Sequence, residues 1–346
     1  MNRLSRCLQT TALLVLPSVL AGPAAAQSST AAQPRYADAG ASAPTRTPHG
    51  QPDLQGFWTN DSYTPLERPE ALGDKELYTP EEAAKLLESR LARLRSQPAD
   101  AVHYDDAIWQ AENYGKVASL RTSIIFEPRN GRLPPLTASA RERLPRQRAL
   151  QRGTEPSASA KDRSLGERCI SWGNVGPPML PPTYNANLQI LQAPGLVIIR
   201  YEMMHDTRIV YLDGRRHPPS SVRWMAGHSV GHWEGETLVV DTTNFTDDTN
   251  FRGMPANTRQ DIFATAGMHV VERFTRTSLG SIDYEFTVED PDTWTAPWSG
   301  AEPMRRVAGP IYEFACHEGN YGLANILAAQ RGKSAGSTAP RVGASD

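Results

Sequence analysis

Glu202, His205, Asp206 and Arg208 crowd a carboxylate, an imidazole and a guanidinium into seven residues. Such a set can move protons and hold an anion. The same residues also suit a plain salt-bridged β-turn, since ion pairs serve structure as readily as catalysis. A second cluster is His228-Ser229-Val230-Gly231-His232-Trp233-Glu234. Two histidines four apart share a metal on a helix, but on a strand that spacing separates them by about 13 Å. The chain has neither His-Glu-x-x-His nor paired Cys-x-x-Cys, so the strongest zinc patterns are absent. No metal is expected; were one held, His205, His232 and His317 are the candidate ligands.

Two further carboxylates stand out by phase. In the strand-like run His269–Thr277, Glu272 sits between Val270 and Phe274 on one face. If that face points inward, the carboxylate needs a cation, a hydrogen-bond donor or a raised pKa. Asp241 is in phase with Val239 and Phe245 and is expected to point inward too, as a reactive group or as a core aspartate bracing Thr242 and Thr243. Cys316-His317-Glu318 offers a thiol beside an imidazole. There is no Gly-x-Ser-x-Gly elbow and no Cys-x-x-Cys-His haem attachment, which removes local support for a serine hydrolase or a c-type haem.

These groups need a scaffold, and from residue 184 onward the sequence reads as strands. The candidates are Leu188–Gln192, Leu196–Met203, Arg208–Leu212, His228–Glu234, Thr237–Phe245, His269–Thr277, Ile282–Glu289 and Ile311–Cys316. Turn signals such as Pro194-Gly195, Asp213-Gly214, Glu234-Gly235 and Leu279-Gly280 separate most of them. Close hairpin partners predict an antiparallel meander, closed or nearly closed into a lipocalin-like barrel that leaves no exposed edge; a β-sandwich is the competitor. The N-terminal half supplies Phe57-Trp58 as a strand start and a short strand at Arg121–Phe126. It also supplies a helix capped by Thr79 and Pro80, with Leu86, Leu87, Leu91 and Leu94 on one face. A weaker helical stretch is expected at Asp105–Val117, and residues 137–165 read as a partly helical surface excursion.

The ends set the compartment. Arg3 and Arg6, the apolar run Ala12–Leu20 and the small residues ending at Ala26 form a secretory signal peptide, with cleavage expected after Ala26. Residues 27–48 and 332–346 read as a disordered leader and tail around one β-rich domain, 49–331. Cys7 leaves with the signal, and Cys169 and Cys316 then favour a disulfide in an oxidising periplasmic or extracellular setting. In the chain-entropy picture it contributes about 4–5 kcal/mol. A net charge of −2 over 346 residues, without a basic block, argues against a nucleic-acid partner. No second apolar segment predicts a membrane span after cleavage.

The runs Pro52-Asp53-Leu54-Gln55-Gly56-Phe57-Trp58, Thr64-Pro65-Leu66-Glu67-Arg68-Pro69, Gly131–Thr137, Gly231–Asp241 and Tyr312–Asn320 resemble successive blocks of an uncharacterised family of secreted bacterial proteins. The likeness spans roughly residues 46 to 330 and implies secretion and a shared single-domain fold; it carries over no catalytic residues. Two functions are consistent with the residues. One is a periplasmic or secreted barrel enzyme presenting Glu202, His205, Arg208, Asp241 and Glu272 to a small, largely apolar or ring-bearing substrate. It would work without a dissociable organic cofactor, by hydrolysis, isomerisation, hydration or elimination. The other is a non-catalytic binder of a small apolar ligand.

Overall fold

The computed structural model describes residues 46–62, 64–96, 119–151, 159–172, 175–181, 185–247, 250–252, 261–263 and 265–337. The expected signal peptide, all but the end of the leader and the Asp105–Val117 helix lie outside them.

The architecture is mainly β, with a closed barrel of nine strands. They are β1 (Gly56–Thr59), β3 (Asn187–Ala193), β4 (Leu196–Tyr201), β5 (Thr207–Tyr211), β6 (His228–Glu234), β7 (Thr237–Thr243), β10 (His269–Ser278), β11 (Ser281–Glu289) and β13 (Met304–Val307). Around the barrel they follow the order β1-β3-β4-β5-β6-β7-β10-β11-β13, and β13 closes on β1. Strands β12 (Trp298–Ala301) and β2 (Ile125–Glu127) extend the sheet beyond β11, and β8 (Asn250–Arg252) pairs with β9 (Asp261–Phe263) separately. Among the described residues three α-helices accompany them: α1 (Pro80–Arg95), α2 (Ala138–Gln151) and α3 (Tyr321–Ser337).

The expected barrel is therefore present, with one change of sense. β5 and β6 pair in parallel, Val210 opposite Ser229, so the barrel is mixed. A parallel pair needs a long crossover, and the segment 212–227 supplies it.

Alternation sets what each strand buries. Val197, Ile199 and Tyr201 of β4, Leu238, Val240 and Thr242 of β7, Val270 and Phe274 of β10 and Tyr284, Phe286 and Val288 of β11 are all buried. The tight β6–β7 hairpin turns at Gly235-Glu236, with Gly235 at φ +61°. That left-handed conformation suits glycine and gives the turn the twist its strands need.

Several boundaries differ from the sequence-based expectation. Met203–His205 is a 3-10 turn rather than strand, and no strand forms at Ile311–Cys316, which is an irregular strap. The described residues begin at Arg46, which bonds Gly50 and Glu236. At the other end, α3 continues through Gly332 to Ser337. Cys169 and Cys316 stand at disulfide-bonding distance, Cα atoms 5.6 Å apart, and tie the strap to the segment before β3. Among the described residues no helix is long and apolar enough to cross a membrane.

Candidate functional site

The five residues expected to share one interior surface separate into three places. Glu272 does point into the barrel, fully buried between Val270 and Phe274. Its cation is Arg208 of β5, which grips it through two bonds of 2.7 and 3.1 Å. The Tyr284 hydroxyl donates to the same carboxylate at 2.8 Å and accepts from the Met179 amide. Burial, then the Glu272 charge, pushes the Tyr284 pKa well up, so that hydroxyl keeps its proton and remains a donor. Arg208 likewise holds its proton more firmly than usual: burial, the largest single effect, opposes this, but the Glu272 charge and hydrogen bonds together with Tyr201 and Tyr284 outweigh it. A bidentate ion pair with a third donor satisfies a buried carboxylate.

Glu202 and His205 do not join that network. After Tyr201 the chain turns, and Glu202 is buried against the strap rather than inside the barrel. It accepts from Asn185 at 2.8 Å and from the Tyr312 amide at 2.9 Å. The exposed His205 meets the Phe314 carbonyl at 2.9 Å. Both therefore hold the C-terminal strap in place. The proposed Glu202–His205–Arg208 set is not assembled, because the turn sends Arg208 inward and the other two outward.

Asp241 is the second correction. The inward phase of β7 is Leu238, Val240 and Thr242, which places Asp241 on the outer face. The expectation failed because Phe245 lies beyond the end of the strand, at Thr243, and does not continue its phase. Outside, Asp241 is the centre of a histidine cluster. Its Oδ1 takes a bond from His217 Nε2 at 3.1 Å, and its Oδ2 from His269 Nε2 at 3.0 Å. His217 Nδ1 faces His228 Nδ1 at 3.0 Å. His228 in turn stacks on Tyr211, with ring centroids 5.4 Å apart, and meets the Trp224 ring at 5.5 Å.

The strands and one loop position this cluster. His228 pairs with Thr243, and Val270 with Thr242, so His228, Thr243 and His269 form a row across β6, β7 and β10. Glu289 of β11, opposite His269, extends it. Two strand spacings place the backbones of His228 and His269 about 10 Å apart. The crossover loop 212–227 brings in His217 and Trp224. Asn244, at φ +61°, anchors that loop by donating its side-chain amide to the carbonyls of Pro218, Pro219 and Val222. Asparagine is among the few residues that tolerate this backbone conformation. Gly227 admits no side chain: a Cβ there would lie 2.7 Å from the Thr243 carbonyl.

Tautomers follow from the bonding. An ionised carboxylate only accepts, so Asp241 fixes the proton of neutral His217 on Nε2. Nδ1 of His217 is then an acceptor, and His228 must donate to it from Nδ1. That leaves Nε2 of His228 as an unprotonated lone pair. Half-burial pushes the Asp241 pKa up, but the His269 and His217 contacts outweigh it and hold the group below its ordinary value. Burial, then the His217 and Arg215 charges, lowers the His228 pKa below 6.5. The Asp241 hydrogen bond raises that of His269 above 6.5, against partial burial. Nδ1 of His269 makes a looser ion pair with Glu289 at 3.6 Å, which adds to the raised pKa but is longer than a hydrogen bond, so its N–H can still reach another acceptor.

The residues considered for a metal are not brought together. His205 serves the strap, His232 is exposed beside Glu234 at 3.1 Å, and His317 is exposed on the strap. Among the described residues no group of three or more His, Cys, Asp and Glu is placed to hold an ion. Sequence reading missed His217 and His269. The hairpin registers could have found part of the cluster, since Val230 opposite Asp241 and His269 opposite Glu289 follow from two short turns. The contribution of the crossover loop carried no local signal. Compared with known proteins, the chain matches no family model, no curated protein and no solved structure.

Proposed function

We propose that this is a secreted or periplasmic enzyme that performs acid/base chemistry from the outer face of its barrel, with His228 as base and His269 as acid. The carrying observation is the Asp241–His217–His228 chain, which holds a histidine lone pair ready at Nε2. A proton accepted there allows the Nδ1 proton to pass to His217, whose positive charge Asp241 then stabilises. His269, protonated and bound to the same aspartate, returns a proton from Nδ1. Two titratable groups driven apart in pKa by their surroundings are the usual signature of a paired acid and base. Hydrolysis, isomerisation, hydration and elimination all need this pairing.

The interior network supports a second reading, a binder of a small, largely apolar ligand oriented by one polar group, because Tyr201 Oη and Arg208 Nε are buried without a partner among the described residues and would take an acceptor. One experiment separates the two. A panel of small ring-bearing esters, hydroxy acids and glycosides is incubated with the protein in D₂O and followed by NMR. The enzyme reading expects product, or deuterium taken up by substrate, with loss of both in His228→Gln. No turnover, or turnover indifferent to that substitution, rejects it.

A further inference from the structure

We propose that the substrate of the His228 site is a phenol, its aromatic ring stacked on Trp224 and its hydroxyl directed at Nε2 of His228. The proposal rests on the reading of His228 as a base and adds the chemical class that the base serves.

Trp224 is 41 % exposed, with Val222 beside it at 44 %, and its backbone is tied in place. Its amide donates to Asn244 at 2.9 Å, and its carbonyl accepts from Thr246 at 3.1 Å and from Gly227 at 3.2 Å. It also bridges Phe245 in parallel sense. A solvent-facing indole on an anchored backbone, its ring against that of His228, offers a stacking surface beside the base. Tyr211 offers no such surface. It already stacks on His228 at an interplanar angle of 19°, and the Arg215 guanidinium lies 3.8 Å from its ring centroid. Arg215, Tyr211 and His228 are therefore stacked on one another, and the open aromatic surface beside the base is Trp224. Among the described residues the other strongly exposed aromatics, Tyr312 and Tyr321, belong to the strap and α3.

The polar groups near the platform decide the class of ring. His217 is spent on Asp241 and His228, Arg215 on Asp213, and Asn244 on three backbone carbonyls. Beside the platform, the acceptor that the Asp241–His217–His228 chain leaves over is Nε2 of His228. One flat apolar face beside a single acceptor fits one ring carrying one hydroxyl. A sugar carries several hydroxyls, of which this arrangement pairs one, so it gains less here than a ring with a single hydroxyl. Arg215, close enough to depress the His228 pKa, also favours the anion that forms. In the transfer the O–H bond breaks with its electron pair left on oxygen. An N–H bond forms at Nε2, and the Nδ1 proton of His228 moves to His217.

The test uses 4-nitrophenol, whose phenolate absorbs separately from the phenol, on the whole protein. The expected result is saturable quenching of tryptophan fluorescence with a phenolate band at a pH where the free probe is largely protonated. Trp224→Ala weakens this binding about tenfold, the scale of one aromatic stack, while Trp224→Phe retains most of it. In His228→Gln the ring still binds and the phenolate band is lost. 4-Nitroanisole, which lacks the proton, gives no band. Unchanged binding in Trp224→Ala, or saturation by cellobiose in place of the phenol, overturns the proposal. The two readings fail separately. If the His228 tautomer stands but the probe ignores Trp224, only the substrate class falls. If the probe stacks on Trp224 and its band survives His228→Gln, the base falls.

Discussion

Glu272 and Asp241 lie on neighbouring strands, β10 and β7, one residue apart in register, and serve opposite ends. Glu272 faces the barrel interior, where Arg208 and Tyr284 occupy its oxygens and burial excludes water. Asp241 faces out, half-buried, and spends both oxygens on histidines that can still exchange protons with a ligand. A carboxylate gripped by a buried guanidinium and a hydroxyl has no oxygen left for a ligand; one bound to imidazoles can pass its influence on. The difference teaches that the protein separates polar groups that hold the barrel from polar groups that could react, and that one step along the sheet decides which.

Substitutions that act on one side alone sharpen this contrast. The largest effect is expected at His228. Its replacement by Gln removes a general base, so turnover should fall by about 10²–10⁴-fold while the urea midpoint stays nearly unchanged. A folding defect of similar size would erase the distinction between the clusters. Glu272→Ala should do the reverse. Stripping one partner from a buried pair costs about 3–5 kcal/mol of stability, readable by denaturant titration. The double change Arg208→Met with Glu272→Leu should restore much of that loss, because apolar replacement of a whole buried pair is often neutral. If the double variant still binds and turns over substrate, the interior is structural.

Asn244→Ala comes next. It frees three carbonyls and the loop that carries His217 and Trp224, with an expected loss of about 1–3 kcal/mol and a larger proportional loss of turnover than of stability. The smallest expected effect is on pH dependence. His228 works neutral and His269 works protonated, so activity should peak around their shared ordinary value of 6.5. The profile should be broadened on both limbs, because one pKa is lowered and the other raised. For stability the signs differ by group. The Asp241 contribution is present above its ordinary 3.8 and lost as pH falls through its depressed folded value. The His269 contribution is complete below 6.5 and lost as pH rises through its raised value. A narrow profile centred away from 6.5 would break the pairing of these two histidines.

The barrel was legible because alternation is a local property. Val270, Glu272 and Phe274, and Tyr284, Phe286 and Val288, declare their face within a few residues, and the turns at Gly235 and Gly280 set two hairpin registers. The partner of Glu272 was not legible: Arg208 arrives from three strands away around the barrel, and no spacing along the chain encodes that. Asp241 was misread because its phase was taken from Phe245, past the strand end, where Asn244 turns the backbone. His217 was missed because it lies on a crossover loop whose path depends on the parallel β5–β6 pair and on the carbonyls that Asn244 holds. Tertiary closure, not local pattern, assembles the candidate site.

The most direct test is an NMR titration of the histidine side chains in the intact protein, reading tautomer and pKa at each ring. The account predicts a neutral His228 protonated at Nδ1 with its pKa below 6.5, and a His269 with its pKa above 6.5. In Asp241→Asn the His269 pKa should fall toward 6.5. A His228 that carries its proton on Nε2, or two histidines that titrate together at 6.5, would contradict it.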